Sequence, residues 1–361
     1  MAGPANTSHL WGEAVVTLSA NRSDLLPSIK HEDRVHIMRA FSVIILLVAA
    51  IFLITSGCSH NPVKQSSKLP NLQESSRILA DYQPWFGSPG HINIGYSTLD
   101  PAILRKQIEK AKQMGIYAFA VDWYGNRRPF EDESYALLQQ VSAENNFHIC
   151  LMYDETQEDN GQATEEALDA FDKAYRSYLG PNAPGHEAYV TYQDRPVIFI
   201  FPKRGHTDWD RVRQMVDQWE HPPILIYKDE PPQQYAKDFD GYYAWVHPSH
   251  GWKPDGSDWG KDYLDAFYKK MASRPGKIVV GTIWPGFNDT KASWSLNRHM
   301  DRRCGETFEN TLKVFHHYYD PEHPMPFLLI ATWNDYEEGT QIETGVSDCR
   351  NQMAQQQAMR P

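Results

Sequence analysis

Phe327-Leu328-Leu329-Ile330-Ala331-Thr332-Trp333-Asn334-Asp335-Tyr336-Glu337-Glu338-Gly339-Thr340 runs from an apolar strand straight into three carboxylates within four residues. Carboxylates bunched at a strand end repel one another, and such clusters mark sites that use paired acids, a metal, or both. Trp333 and Asn334 beside the acids suit a sugar-binding cleft. A solvated acidic loop is the plain alternative for a bare triplet. The apolar strand, the Trp and the Gly339-Thr340 turn favour a site.

Upstream of this stretch the chain alternates between strand-like and helix-like segments. Strands are predicted at 78–86, 116–123, 147–153, 196–201, 223–227, 241–246, 277–283 and 327–333. The run at 116–123 is apolar throughout, as for a parallel strand buried on both faces. Helical periodicity covers 100–114, with Asp100 as cap and Pro101 in the first turn, and then 131–145, 164–178, 208–219, 259–273 and 306–317. A short helix is predicted at 233–237. Strict alternation over residues 77–345 reads as a single-domain α/β chain, a (β/α)8 TIM barrel whose usual size is about 250 residues. A doubly wound open sheet is the runner-up, weakened because no Gly-rich phosphate loop follows the first strand. The eighth helix is missing or vestigial: after Glu343 only a Gln/Met-rich tail remains, with one short helix possible over 350–359.

The N-terminal part reads differently. Residues 1–37 are polar and unpatterned, and Met38 makes a more ordinary start than Met1. Met38-Arg39 precede an apolar run over 40–54 and then Thr55-Ser56-Gly57-Cys58. The run is shorter than the ~20 residues of a spanning helix and fits a signal-peptide core. Cys58 after small residues resembles the bacterial lipobox, with Thr55 where Leu is usual, so 38–58 reads as a lipoprotein signal with Cys58 lipidated. An uncleaved anchor is the alternative. Residues 59–76 read as a tether, 77–345 as the barrel and 346–361 as a C-terminal tail. The expected location is the bacterial cell envelope, outside the cytoplasm, with membrane contact through Cys58.

Composition bounds the chemistry. The 361 residues include 11 Trp and 19 Tyr, common in sugar-handling proteins but also in large α/β enzymes. A net charge of −11 and no basic run exclude nucleic acid as the expected partner. Four cysteines are too few for a disulfide scaffold, and no CxxC or HExxH spacing points to a metal. No cofactor is expected, and a monomer is. In an oxidising compartment Cys304 and Cys349, in loops after neighbouring strands, are expected to pair, while Cys150 inside strand 3 stays a buried thiol.

In such barrels the chemistry sits where strands end. The strand ends supply Tyr82 and Trp85; Asp122, Trp123 and Tyr124; Tyr153 and Asp154; Trp245; Trp284 with Asp289; and Trp333, Asn334, Asp335, Glu337 and Glu338. Any one aromatic is more often core than subsite, and Asp122 alone could be a buried structural carboxylate. Their recurrence at end after end favours a glycan cleft. Glycoside cleavage commonly needs one carboxyl protonated and one ionised. Asp335, Glu337 and Glu338 can supply that pair, and Asp122 or Asp154 is the alternative source of the second.

Four segments, spread over about residues 78–345, resemble glycoside hydrolase families 99 and 71, the group of endo-α-mannosidases and α-1,3-glucanases. They are Tyr82-Gln83-Pro84-Trp85-Phe86-Gly87; Val121-Asp122-Trp123-Tyr124-Gly125; Pro285-Gly286-Phe287-Asn288-Asp289-Thr290 with Arg302, Arg303 and Gly305; and the acid cluster through Glu343. The resemblance implies a hydrolase of an α-linked polysaccharide, α-mannan or α-glucan, which the signal at 38–58 would place outside the cytoplasm. The family 99 pattern has two Glu three positions apart, which fall here on Asp335 and Glu338. It implies Glu338 as general acid/base and Asp335 as the base that draws a proton from the sugar's own 2-hydroxyl, with net retention. Asp335 is one methylene shorter than the family's Glu. A non-catalytic glycan-binding barrel and a role in surface-polysaccharide biosynthesis are the alternatives.

Overall fold

The computed structural model describes residues 76–158 and 161–349. The readings of 1–37, of the signal at 38–58 with Cys58, of nearly all the tether at 59–76 and of the tail from 350 lie outside the described residues.

Eight parallel strands close into a barrel. Numbering the barrel strands alone, they are β1 (Arg77–Tyr82), β2 (Ala118–Trp123), β3 (His148–Asp154), β4 (Arg195–Phe201), β5 (Ile224–Lys228), β6 (Gly241–Tyr243), β7 (Ile278–Ile283) and β8 (Phe327–Ile330). β8 pairs with β1, and pairing of β3 with β4 completes the ring, which rules out the open sheet. Around it lie α1 (Pro101–Met114), α2 (Pro129–Glu144), α3 (Ala163–Ala174), α4 (Trp209–Val216), α5 (Lys261–Ala272) and α6 (Glu306–Tyr318). α1 shows why its sequence folds so. Asp100 accepts from the Ala102 and Ile103 N–H groups, Pro101 opens the first turn, and Gly115 ends the helix at φ 86°. Leu104, Ile108 and Ala111, spaced for one helical face, are its buried side. The short helix predicted after β5 is a single 3-10 turn, Gln233–Tyr235.

Strand alternation fixes what faces the barrel interior. In the register Asp81 lies opposite Ala120, Asp122 opposite Met152, Asp154 opposite Phe201, and Lys228 opposite Tyr243. Partners across parallel strands share a face, and so do residues two apart on one strand. One inward row therefore carries Asp81, Asp122, Asp154, Phe201, Lys228 and Tyr243 near the C-terminal strand ends. Tyr82, Trp123 and Tyr153, one position off this row, face the helices.

β8 ends at Ile330, three residues before the predicted end, because the chain there leaves the ladder for a closed loop. Thr332 N–H donates to Thr340 O and Ile342 N–H to Thr332 O, each at 3.0 Å, while Trp333 N–H reaches back to Asp81 O at 2.6 Å. No helix follows β8 among the described residues. The chain after the loop covers part of that gap: Ile342 is buried, and Glu343 accepts from Tyr96 and Tyr336 hydroxyls and from the Gln107 amide of α1, each at 2.9 Å. The Cα atoms of Cys304 and Cys349 lie 5.0 Å apart in a disulfide that ties this segment to the start of α6. Cys150 is a free buried thiol, pushed up by burial.

Candidate active site

The loop after β8 brings two carboxyls together on one turn. Asp335 Oδ1 accepts from the Glu337 N–H at 2.9 Å and the Glu338 N–H at 2.8 Å, while Asp335 N–H donates to Thr332 Oγ1 at 2.8 Å. One carboxylate oxygen is thereby committed to holding the turn. Gly339 closes it at φ +64°, where a Cβ would stand a tight 3.1 Å from the Asn288 backbone N and O, so a side chain would be strained in both backbone and contact. Arg302 locks the far side, donating to Gly339 O at 2.8 Å, Gln341 O at 2.7 Å and Gly345 O at 2.9 Å.

Glu338 Oε1 accepts from Trp294 Nε1 at 3.0 Å, and Arg298 Nη2 lies 3.8 Å away. Both donors sit on the segment 289–298, which Asp289 organises. Its carboxylate accepts from Ser295 Oγ, Leu296 N–H, Arg298 N–H and Arg298 Nε at 2.7–3.1 Å. Asp289 itself is fully buried.

The charges interact as a group. Burial pushes the Asp335 carboxyl well above the ordinary range, and repulsion from Glu338 adds to it against the pull of the two backbone N–H groups. Burial raises Glu338 as well, with Trp294, Arg298 and Lys203 pulling back. Asp81 is raised by burial and then by Asp122, Asp335, Asp154 and Glu338. Burial and Asp154 raise Asp122, against Lys203. Burial raises Asp154, opposed chiefly by Lys203, whose Nζ is 3.1 Å from Asp154 Oδ2. Lys228 stands with its Nζ 3.6 Å from the Phe201 ring centre, and burial lowers it to about 8. All five carboxyls of the mouth are thus raised by burial, with Lys203 opposing the rise at Asp122, Asp154 and Glu338, and perturbed acids grouped in this way are what acid–base cleavage uses.

The other predicted site residues divide by face. Trp245 is half-buried at the rim, edge-on to Phe201 at 5.2 Å, and Tyr124 is half-buried within reach of Asp122 and Asp154 charge. Trp85 stacks on His91 at 4.8 Å and 12°. Tyr82 is turned outward, its hydroxyl on Gln107 of α1 at 2.8 Å. Trp123 likewise donates to Asp132 of α2 at 2.9 Å, and Tyr153 packs on Phe171 and Trp209 of α3 and α4. Trp284 donates to Trp259 O at 3.1 Å beside α5, and Trp333 is buried against Phe119 at 5.3 Å. These five aromatics belong to the packing: strand alternation turns Tyr82, Trp123 and Tyr153 to the helices, a core hydrogen bond holds Trp284, and Trp333 is enclosed in the core. Asn334 spends both amide atoms on Gln83, accepting its N–H at 2.7 Å and donating to its O at 3.0 Å. Glu337 accepts from Ile92 N–H at 3.1 Å and pairs with His91 at 2.7 Å. Asn334, Glu337 and Asp289 therefore brace the loops that carry the acid pair.

Asp81, Lys203, Lys228, Trp294 and Arg298 were not predicted. Asp81 had a readable signal: an acid inside an apolar strand, spaced from the strand end like Asp122.

A model of glycosyl hydrolase family 71 matches residues 94–358. The chain belongs to that family. Two curated relatives are also similar to this chain. A glycoprotein endo-alpha-1,2-mannosidase-like protein of Homo sapiens is 23% identical over 280 residues, covering 72% of this chain and 58% of that protein. A glycoprotein endo-alpha-1,2-mannosidase of Mus musculus is 21% identical over 287 residues, covering 74% and 58%. The chain thus spans less than two thirds of their length. The GH99 endo-alpha-mannosidase of Bacteroides thetaiotaomicron, solved with bis-tris-propane, shares the fold with a TM-score of 0.57 at 18% identity, over 74% of this chain and 86% of that one.

Proposed function

We propose that this family 71 chain is a glycosidase that cleaves an α-linked polysaccharide, α-mannan or α-glucan, at the barrel mouth. Glu338 is the general acid/base and Asp335 the second carboxylate. The observation that carries the reading is the Asp335–Glu338 turn. Two carboxyls share one turn within reach of each other's charge, each with one oxygen engaged by N–H donors, and carboxyls that close favour holding one proton between them, leaving one acid and one base. The relatives named as endo-α-1,2-mannosidases support an α-mannosidic linkage.

Glu338 gives its proton to the glycosidic oxygen as the bond to the anomeric carbon breaks. Asp335 takes the 2-hydroxyl proton as that oxygen closes on the anomeric carbon, giving an anhydro-sugar with the first product released. Water then opens the ring, losing a proton to Glu338 while Asp335 returns one to the 2-oxygen, so both residues are restored and configuration is retained. A second reading, direct attack by a water that Asp335 deprotonates, is favoured by the short Asp arm, which leaves room for that water. Proton NMR of the first-formed anomer separates them: an α product supports retention, a β product the water route. Reducing-end release from a panel of α-mannans and α-glucans tests the activity itself. Binding without product would favour a glycan-binding barrel instead.

The tether belongs to the same proposal. The apolar run at 40–54 ending in Ser56-Gly57-Cys58 supports an enzyme lipid-anchored outside the cytoplasm in a bacterial envelope. Mass spectrometry finding an intact 40–57 segment in a bacterial host would overturn that part.

A further inference from the structure

Trp294 lies between the short strands Phe287–Asn288 and His299–Met300. Its surface is 40% exposed, unlike the buried tryptophans of the core. Yet it is firmly held. Its Nε1 donates to Glu338 Oε1 at 3.0 Å, Trp85 meets it edge-on at 6.0 Å and 80°, and His91 at 6.1 Å and 69°. The backbone around it is fixed by the Asp289 carboxylate, which accepts from Ser295, Leu296 and Arg298. This indole places its polar edge on an acid and leaves ring surface in water while Trp85 and His91 hold it in place.

The geometry points to Trp294 as a positioning and specificity residue: its N–H selects the Glu338 oxygen that carries the transferable proton, and its exposed ring is the platform for the sugar on the leaving-group side. This rests on the reading of Glu338 as general acid. An N–H donated to Oε1 engages that oxygen as acceptor, so the acid proton settles on Oε2. When the proton passes to the glycosidic oxygen, Glu338 becomes anionic and the indole bond becomes charge-assisted and stronger. The contact therefore favours the transition state over the ground state. Asp335, by contrast, takes its support from backbone N–H groups. A ring bonded to the acid carboxyl lies beside the bond being broken, and a pyranose face can stack on it.

Other charges also act on Glu338. Arg298 and Asp289 come from the same segment and Lys203 from the loop after β4; Lys228 of β5, Asp335, Asp81 of β1 and Asp122 of β2 feel its charge in turn. Arg298 and Lys203 favour its ionised form, and the Trp294 N–H does so too. Removing only that N–H must therefore move Glu338 upward.

The test compares Trp294→Phe and Trp294→Ala in the full chain on an α-glycan the wild type cleaves and on the matching glycosyl fluoride. Carbon NMR of labelled Glu carboxyls is recorded in parallel. Trp294→Phe should shift the Glu338 titration and the alkaline limb of activity to higher pH. It should lower kcat on the glycan about tenfold with little change in KM. Trp294→Ala should add a several-fold rise in KM for the glycan but not for the fluoride, whose leaving atom is too small to reach the platform. An unmoved Glu338 titration in Trp294→Phe overturns the positioning role, and an equal KM rise on both substrates overturns the platform. Glu338→Gln keeps the two readings apart. If it retains wild-type turnover, the acid assignment fails; if it abolishes turnover while both Trp294 variants behave as wild type, only the Trp294 role fails. Should the chain bind glycan without cleaving it, the titration and the glycan affinity of Trp294→Ala report the same two roles.

Discussion

Lys203→Met removes the cation that compensates the acids on the β2 and β3 ends. Lys203 Nζ is 3.1 Å from Asp154, with side chains 24% and 7% exposed. Met keeps the length of the stem, so the change is chiefly electrostatic. Breaking a buried pair and stranding its partner costs roughly 3–5 kcal/mol. The partial exposure of Lys203 places this one near the low end, at about 3 kcal/mol at pH 7. The pH dependence has a definite sign. Asp154 and Asp122 already have folded pKa values above their ordinary ones, so the folded state binds protons more tightly and loses stability as pH rises above about 4. Without Lys203 both carboxyls move further up, and that loss extends over a wider range. Lys203 itself is raised by Asp154 and Asp122 against the lowering effect of burial, so its contribution persists until the solution turns strongly alkaline. The deficit of Lys203→Met should therefore be near full at pH 7 and fade toward pH 4. Urea unfolding followed by tryptophan fluorescence at both pH values measures it. A deficit under about 1 kcal/mol at pH 7, or one unchanged at pH 4, would refute the account of this network.

Asn334→Ala leaves the Gln83 N–H and C=O unpaired in a fully buried setting. It should cost about 2–4 kcal/mol in unfolding free energy and lower turnover by displacing the acid loop; unfolding curves and kcat together check both. Cys304→Ser opens a disulfide between residues 45 apart in sequence. The chain-entropy relation for such a loop gives about 4 kcal/mol, and disulfides typically deliver about 2–4 kcal/mol. Dithiothreitol should weaken the wild type by that amount and leave Cys304→Ser unchanged.

The barrel was legible because each layer leaves its own period in the chain: apolar runs for the strands, and faces such as Leu104, Ile108 and Ala111 for the helices. The face of each strand was not, since the helix side and the interior are equally apolar. Tyr82 and Trp123 were assigned to the cleft for standing at strand ends, yet they pack under α1 and α2. The acids carried the missing phase. Asp81, Asp122 and Asp154 fall on one inward row, and the mouth is where burying them is least costly. Asp335 and Glu338 stood out as an acid pair before Gly-Thr. Trp294, Arg298 and Lys203 come from irregular loops, where no period says which side chains return to the site.

The central claim is that Glu338 protonates the leaving oxygen while Asp335 takes the proton of the attacking group. Turnover of Glu338→Gln and Asp335→Asn on an α-glycan and on the matching glycosyl fluoride tests it most directly. Loss of the acid should cost about 10²–10⁴-fold on the glycan and little on the fluoride, which leaves without protonation, while Asp335→Asn should fail on both. Wild-type turnover of the glycan by Glu338→Gln would contradict the account and move the acid to Asp122 or Asp154.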